Sequence, residues 1–213
     1  MSELFARERR AVAPGAVHLP DWLPAEEQRE LLEQCRAWAR PPAGLREVTT
    51  PGGGRMSVRQ FGLGWHWFPY GYARTVVDGD GSPVKPMPDE LAALGRRAVT
   101  AAYGEAPQET YDIALINYYD TDAHMGMHKD RDEKSTAPVV SLSLGDTCVF
   151  RFGNTETRTK PYTDVELRSG DLFVFGGESR FAYHGVPRTE PGTAPPGLGL
   201  SGRLNITLRV SGL

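Results

Sequence analysis

From Asp112 onward the chain is written in short strand-like segments joined by turns, with no helical stretch between them. The segments at 113–119, 138–144, 148–152, 164–167, 171–175 and 204–210 are rich in Val, Ile, Leu and Phe. Turn residues such as Gly145-Asp146 and Gly176-Gly177 separate them. Antiparallel strands can follow one another through tight turns, whereas parallel strands need long crossovers. This half therefore predicts an antiparallel sandwich or jelly roll rather than βαβ winding.

The first half carries the helices. Residues 1–19 read as an irregular arm. Pro24 followed by Glu26 and Glu27 opens a helix, because proline suits a first turn and acids suit the positive helix end. Leu31, Leu32, Cys35 and Trp38 recur at helical spacing, and Pro41-Pro42 ends the helix. Thr50-Pro51-Gly52-Gly53-Gly54 is a turn leading into a strand at 55–61; no Gly-Lys-Ser/Thr follows it, which argues against a phosphate loop. Residues 64–72, Gly-Trp-His-Trp-Phe-Pro-Tyr-Gly-Tyr, are densely aromatic in a chain with 9% aromatics. They suit either a cap on the core or a stacking surface for a planar ligand. Asp78-Gly79-Asp80-Gly81 lacks the further ligands of a calcium loop and is a turn. Met87-Pro88-Asp89-Glu90 opens a second helix with Leu91, Leu94, Ala98 and Ala102 on one face and Gly104 closing it. Both helices should pack on one face of the β region. Residues 190–202, rich in proline and glycine, form a surface loop.

At 213 residues the chain suits a single domain with a substantial core. Its 39% hydrophobic and 24% charged content fit a globular protein without an apolar run long enough to span a bilayer. Met1–Phe5 lack a signal-peptide core. The two cysteines, Cys35 and Cys148, stand in unrelated contexts and favour free thiols in a cytoplasmic setting. A formal net charge of −3 argues against long electrostatic coating of nucleic acid but permits a local basic groove.

Of five histidines, His18 and His66 read as ordinary core or surface residues. His124 and His128 are four apart, but Gly126 and the missing glutamate argue against a helical zinc pair. His128 and Asp130 are two apart, so on an extended segment they face one way. A second imidazole, His184, follows another strand. Two histidines and one carboxylate on one side of a metal leave coordination positions open, which suits non-haem Fe(II) oxygenases and not a closed structural site. On the last strand Arg203, Asn205, Thr207 and Arg209 share one face, and Leu204, Ile206 and Leu208 the other. The polar face either meets solvent or turns inward, where two guanidiniums need anions such as a dicarboxylate.

Several ordered motifs now come together. They are Leu115-Ile116-Asn117-Tyr118-Tyr119, His128-x-Asp130-x-Asp132-Glu133, residues 140–145 (Val-Ser-Leu-Ser-Leu-Gly), residues 176–180 (Gly-Gly-Glu-Ser-Arg), Tyr183-His184-Gly185 and Arg203-x-Asn205-x-Thr207. Thr50-Pro51-Gly52-Gly53, Met56-Ser57-Val58 and Leu63-Gly64-Trp65 stand upstream. Together they resemble the AlkB family of Fe(II)- and 2-oxoglutarate-dependent dioxygenases, over nearly the whole chain. The resemblance implies a mainly β (α+β) fold, a double-stranded β-helix (jelly roll) with N-terminal helices on one face. It implies one domain, with helices and a nucleotide-recognition lid in residues 1–111 and the catalytic core in 112–213. Iron would be held by His128, Asp130 and His184, and 2-oxoglutarate by Asn117, Tyr119, Arg203, Asn205 and Arg209. The base would lie near Met56, Trp65, Tyr72, Asp132 and Glu133, with Arg158 as the basic residue of the 152–160 loop. Arg74 replaces the family's second aromatic.

The implied activity is oxidative dealkylation of bases of the 1-methyladenine and 3-methylcytosine type in DNA, with RNA a further candidate. 2-Oxoglutarate and O2 are consumed and formaldehyde is released. These bases are planar cations, which suit aromatic faces and a carboxylate, and their alkyl groups lie on the pairing edge, so the base comes from a single strand or is flipped. A monomer is expected. The competing readings are a dioxygenase of the same fold acting on a protein or small molecule, in keeping with the acidic balance, and a non-enzymatic cupin-like binding module.

Overall fold

A computed structural model gives the structure of residues 7–50 and 52–213. The opening residues, where the sequence shows no signal-peptide core, and Pro51 of the expected turn lie outside the described residues. The arm expected over residues 1–19 is in part a hairpin: β1 (Arg10–Ala13) and β2 (Ala16–Leu19) pair antiparallel. Then come α1 (Ala25–Trp38), β3 (Arg46–Thr49), β4 (Arg55–Leu63), a small hairpin of β5 (His66–Phe68) and β6 (Gly71–Ala73), and α2 (Asp89–Tyr103). The remainder is strand: β7 (Ile113–Tyr119), β8 (Met125–His128), β9 (Val139–Gly145), β10 (Thr147–Phe152), β11 (Thr163–Leu167), β12 (Leu172–Phe175), β13 (His184–Glu190) and β14 (Arg203–Arg209).

The main sheet has eight strands in the order β1-β2-β12-β9-β14-β7-β4-β3, and the smaller sheet runs β11-β10-β13-β8. All pairings between these strands are antiparallel. β3 and β4, from the helix-bearing half, join the main sheet beside β7, so that sheet runs across the boundary at residue 111. Among the described residues seven strands stand where the sequence shows no strand: β1, β2, β3, β5, β6, β8 and β13. Each is either short or interrupted by polar residues and glycine, so its alternation is faint.

Alternation divides the side chains between two cores. Leu204, Ile206 and Leu208 of β14, Leu172 and Val174 of β12 and Val140, Leu142 and Leu144 of β9 pack with Leu31, Leu32 and Cys35 of α1 and Leu91, Ala98 and Ala102 of α2. Both helices thus cover the outer face of the main sheet. Leu94 and Trp38 are only partly buried against this core. The opposite faces meet the smaller sheet: Phe173 and Phe175 pack against Phe150 and Phe152 with ring centroids 4.9–5.5 Å apart. Gly104 closes α2 in the left-handed conformation, φ +84, its N–H donating to Thr100 O. Among the described residues no helix is long and apolar enough to cross a membrane.

Candidate metal centre and active site

The space between the two sheets is not filled at one end. There a cavity of about 380 Å³ is lined by residues from both sheets and from the β5–β6 hairpin. β8 and β13 pair so that His128 stands directly opposite His184 in register. Their rings lie 4.5 Å apart between centroids. Two residues past His128, Asp130 brings a carboxylate to the same point: Oδ1 is 3.7 Å from His128 Nε2 and Oδ2 is 3.6 Å from His184 Nε2. The three ligand atoms lie within 4.8 Å of one another.

Each imidazole has its other nitrogen engaged. Nδ1 of His128 is 2.9 Å from Gly126 O, and Nδ1 of His184 is 3.0 Å from Ala182 O. A carbonyl can only accept, so each Nδ1 donates its proton, which leaves each Nε2 as the nitrogen that faces Asp130. Burial drives His184 down to a pKa of about 4, against the pull of Asp130, so the ring is neutral at pH 7. For Asp130 burial works toward protonation, but Arg209, the two imidazoles and Arg180 outweigh it and hold the carboxyl at about 2. Oδ2 of Asp130 is buried and, though 2.8 Å from Arg209 Nη2, no donor reaches it at a hydrogen-bonding angle. Two imidazole nitrogens and an ionised oxygen with an unmet lone pair suit a divalent cation, and with three protein ligands the site stays open.

The polar face of β14 turns inward. Arg203, Asn205, Thr207 and Arg209 all line the cavity and are buried, which settles the orientation that alternation alone left open. Arg203 Nη2 donates to Ser143 Oγ at 2.8 Å, and Asn205 Nδ2 to Ser141 Oγ at 2.8 Å. Among the described residues the Nε groups of Arg203 and Arg209 have no partner although buried. From the adjacent β7, Asn117 accepts from Gln60 Nε2 at 3.0 Å and Tyr119 adds a buried phenol; both line the cavity. Burial raises the Tyr119 pKa, so the phenol stays protonated. These groups offer donors and positive charge to an anion, and none offers a negative one.

On the substrate side three residues anticipated from the sequence reach the cavity and three do not. Met56, Asp132 and Arg158 line it. Trp65 does not. Gly64, at φ +77, packs so tightly on Asp112 that a Cβ would fall 2.0 Å from its carbonyl oxygen. That turn sends Trp65 outward, where its indole N–H donates to Asp112 at 3.1 Å and the Arg74 guanidinium stacks 3.5 Å over the ring. Arg74 thus has a partner in Trp65. The cavity's indole is Trp67 instead, held by an N–H donated to Asp132 Oδ2 at 2.8 Å.

Glu133 and Tyr72 are likewise absent from the lining. Glu133 is buried, accepting from Arg180 Nη2 at 3.0 Å, from Arg209 Nη1 at 2.9 Å and from the Tyr72 hydroxyl. Two guanidiniums hold its carboxylate away from the base side. Burial would raise its pKa, but Arg209 and Arg180 lower it. Arg180, fully buried, also donates to Asp130 O and Ala137 O, fixing the segment that carries Asp130 and Glu133. Sequence reasoning assigned Arg180 no role. His18 and His66 sit elsewhere, bonded to Asp171 and Asp78.

A metal face beside a clip for a dicarboxylate, both inside one β-helix, defines the class: oxygenases that activate dioxygen on ferrous iron at the expense of a keto acid. Residues 15–209 match the model of the 2OG-Fe(II) oxygenase superfamily. The Escherichia coli (strain K12) alpha-ketoglutarate-dependent dioxygenase AlkB is 38% identical over 173 residues, covering 79% of this chain and 78% of that protein. The Arabidopsis thaliana DNA N(6)-methyladenine demethylase ALKBH1D is 30% identical over 227 residues, covering 96% of this chain; the chain spans about half (51%) of that relative's length. The solved structure of OsALKBH1 superimposes with a TM-score of 0.84 at 32% identity, covering 94% of this chain and 100% of that one. The chain belongs to the AlkB family of Fe(II)- and 2-oxoglutarate-dependent dioxygenases.

Proposed function

We propose that this protein removes alkyl groups oxidatively from the pairing edge of nucleic-acid bases, in DNA first and RNA second, as a cytoplasmic monomer. The observation that carries the reading is the pairing of the His128–Asp130–His184 face with two inward arginines whose Nε groups are buried without partners among the described residues. Buried unpaired donors cost free energy unless a ligand satisfies them.

In this reading His128, Asp130 and His184 hold ferrous iron, which when bound activates dioxygen for hydroxylation of an unactivated C–H bond. Arg203 and Arg209 grip the two carboxylates of 2-oxoglutarate, since a guanidinium fits a carboxylate through two parallel bonds. Asn117, Tyr119 and Asn205 fix its tilt. Glu133 and Tyr72 hold Arg209 in place. The substrate base lies between Trp67 and the histidines, with Asp132 balancing the positive charge that N1-methyladenine or N3-methylcytosine carries. Met56 packs on its edge and Arg158 meets the backbone phosphate. A hydroxylated N-methyl carbon bears both nitrogen and oxygen, so it leaves as formaldehyde and restores the base. The walls of the cavity limit water, which favours transfer to the bound alkyl group over side reactions.

The names of the relatives support this choice of substrate over a protein or a metabolite, for they include DNA demethylases and a nucleic acid dioxygenase. The test is formaldehyde release from oligonucleotides bearing 1-methyladenine, 3-methylcytosine or N6-methyladenine, with and without 2-oxoglutarate. Release that requires the keto acid is expected. Succinate formation with metabolites or peptides but never with an oligonucleotide would overturn the reading.

A further inference from the structure

Tyr70 stands at the tip of the β5–β6 hairpin, on the rim of the cavity, and 76% of its surface is exposed, more than that of any other exposed large hydrophobic residue described. Its backbone is left-handed, φ +73, a region that disfavours residues with a Cβ and that glycine or asparagine fills at less cost. Phe68 pairs with Gly71 across the two-residue loop Pro69-Tyr70, and a type II turn, which takes proline at its first central position, puts a positive φ at the second. Gly71 lies under the Phe68 ring, where a Cβ would fall 2.9 Å from a ring carbon. An aromatic side chain is thus held in water, on a strained residue, at the mouth of a binding site. Neither packing nor turn chemistry accounts for it.

The surroundings indicate what it meets. Below the rim, Trp67 of the same hairpin is fixed by Asp132 and forms the cavity wall. Lys129, Arg131 and Arg158 line the same cavity, with Arg131 and Arg158 exposed and the Lys129 ammonium donating to Thr155 O. Aromatic faces interleaved with cations are what a single nucleic-acid strand requires, bases stacking on the rings and phosphates meeting the cations. A free metabolite small enough to be enclosed would have no use for a ring outside the cavity.

We propose that Tyr70 stacks on the nucleobase adjacent in the strand to the one held in the cavity. The protein then reads a single-stranded stretch of at least two nucleotides and discriminates against lone modified nucleotides. This rests on the nucleic-acid reading above. Stacking on a ring face is tolerant of base identity, so the contact selects for a neighbouring base without selecting which one.

The experiment measures formaldehyde release by the full chain with Fe(II) and 2-oxoglutarate on three substrates. These are 1-methyladenosine monophosphate, a trinucleotide with 1-methyladenine at its centre, and the same trinucleotide with abasic neighbours. The last keeps the phosphates and removes only the stacking partners. The wild type is expected to favour the trinucleotide in KM, and to lose about tenfold of that advantage with abasic neighbours. Tyr70→Ala should raise KM for the intact trinucleotide about tenfold, with little further loss on the abasic one, and Tyr70→Phe should restore the wild-type value. Tyr70→Gly should raise the melting temperature while losing the same KM advantage, which separates stacking from a structural role. Equal KM changes on mononucleotide and trinucleotide, or none, would overturn the inference and leave dealkylation standing. Absence of formaldehyde from every methylated substrate would overturn both.

Discussion

At the scale of single residues, the site is a contest between burial and charge. Burial alone would neutralise Asp130 and Glu133, yet both stay ionised because Arg209 lies against them, 2.8 Å from one and 2.9 Å from the other. Arg209→Ala is expected to raise the 2-oxoglutarate KM at least tenfold, roughly the loss of one charge-assisted bidentate contact, with a smaller change in kcat; succinate production against keto-acid concentration reads it. Glu133→Gln keeps the shape and loses the charge. It should move the same KM in the same direction by less, and lower stability by about 3 kcal/mol because two buried guanidiniums lose their shared anion; urea unfolding checks the second part. Glu133's position was not legible: β8 ends at His128, so strand alternation does not reach residue 133, whose direction is set by Arg180 and Arg209. Trp65 was not legible either, since its direction is decided by Gly64 lying against a backbone carbonyl from a residue 48 positions later in the chain.

At the scale of elements, β14 shows why the strands were readable. One face is Leu204, Ile206 and Leu208 and the other is Arg203, Asn205, Thr207 and Arg209, so periodicity alone marks the strand; what it cannot mark is which face is wet. The β1–β2 hairpin was hidden for the opposite reason. Its pairing with β12 is accompanied by a polar cluster, in which Asp171 accepts from Arg7 and the backbone of Asp21 and is bonded to His18. Such long-range bonds leave no periodic trace. They do leave a pH dependence. Burial pushes the Asp171 carboxyl up, but His18, Arg7 and two backbone N–H groups outweigh it and take it from 3.8 to about 2. The unfolded chain therefore takes up this proton first as pH falls. The contribution, on the order of 2 kcal/mol, is fully present above the unfolded value and is lost as pH drops toward 2. Urea unfolding at pH 7 and pH 2.5 should show a smaller drop for Asp171→Asn than for the wild type.

At the scale of the whole molecule, two helices on the outside of an eight-stranded sheet and a smaller sheet on the inside leave one end of the β-helix open. The order of helices then strands narrowed the architecture to an antiparallel sandwich or jelly roll with helices on one face, because antiparallel strands without crossover helices have few other ways to bury both faces; the choice of the β-helix came from the family resemblance. The convergence of His128, Asp130 and His184 needs the register between β8 and β13, two strands that the sequence barely announces. Everything functional depends on that convergence, and it can be tested without turnover. Under anaerobic conditions, Fe(II) and 2-oxoglutarate are added together to the protein and the visible charge-transfer absorption of an iron-bound 2-oxo acid is followed. The band is expected with both components, not with either alone, and not in Asp130→Ala that is folded by circular dichroism; the same band in Asp130→Ala, or no band in the wild type, would overturn the assignment of these three residues as iron ligands.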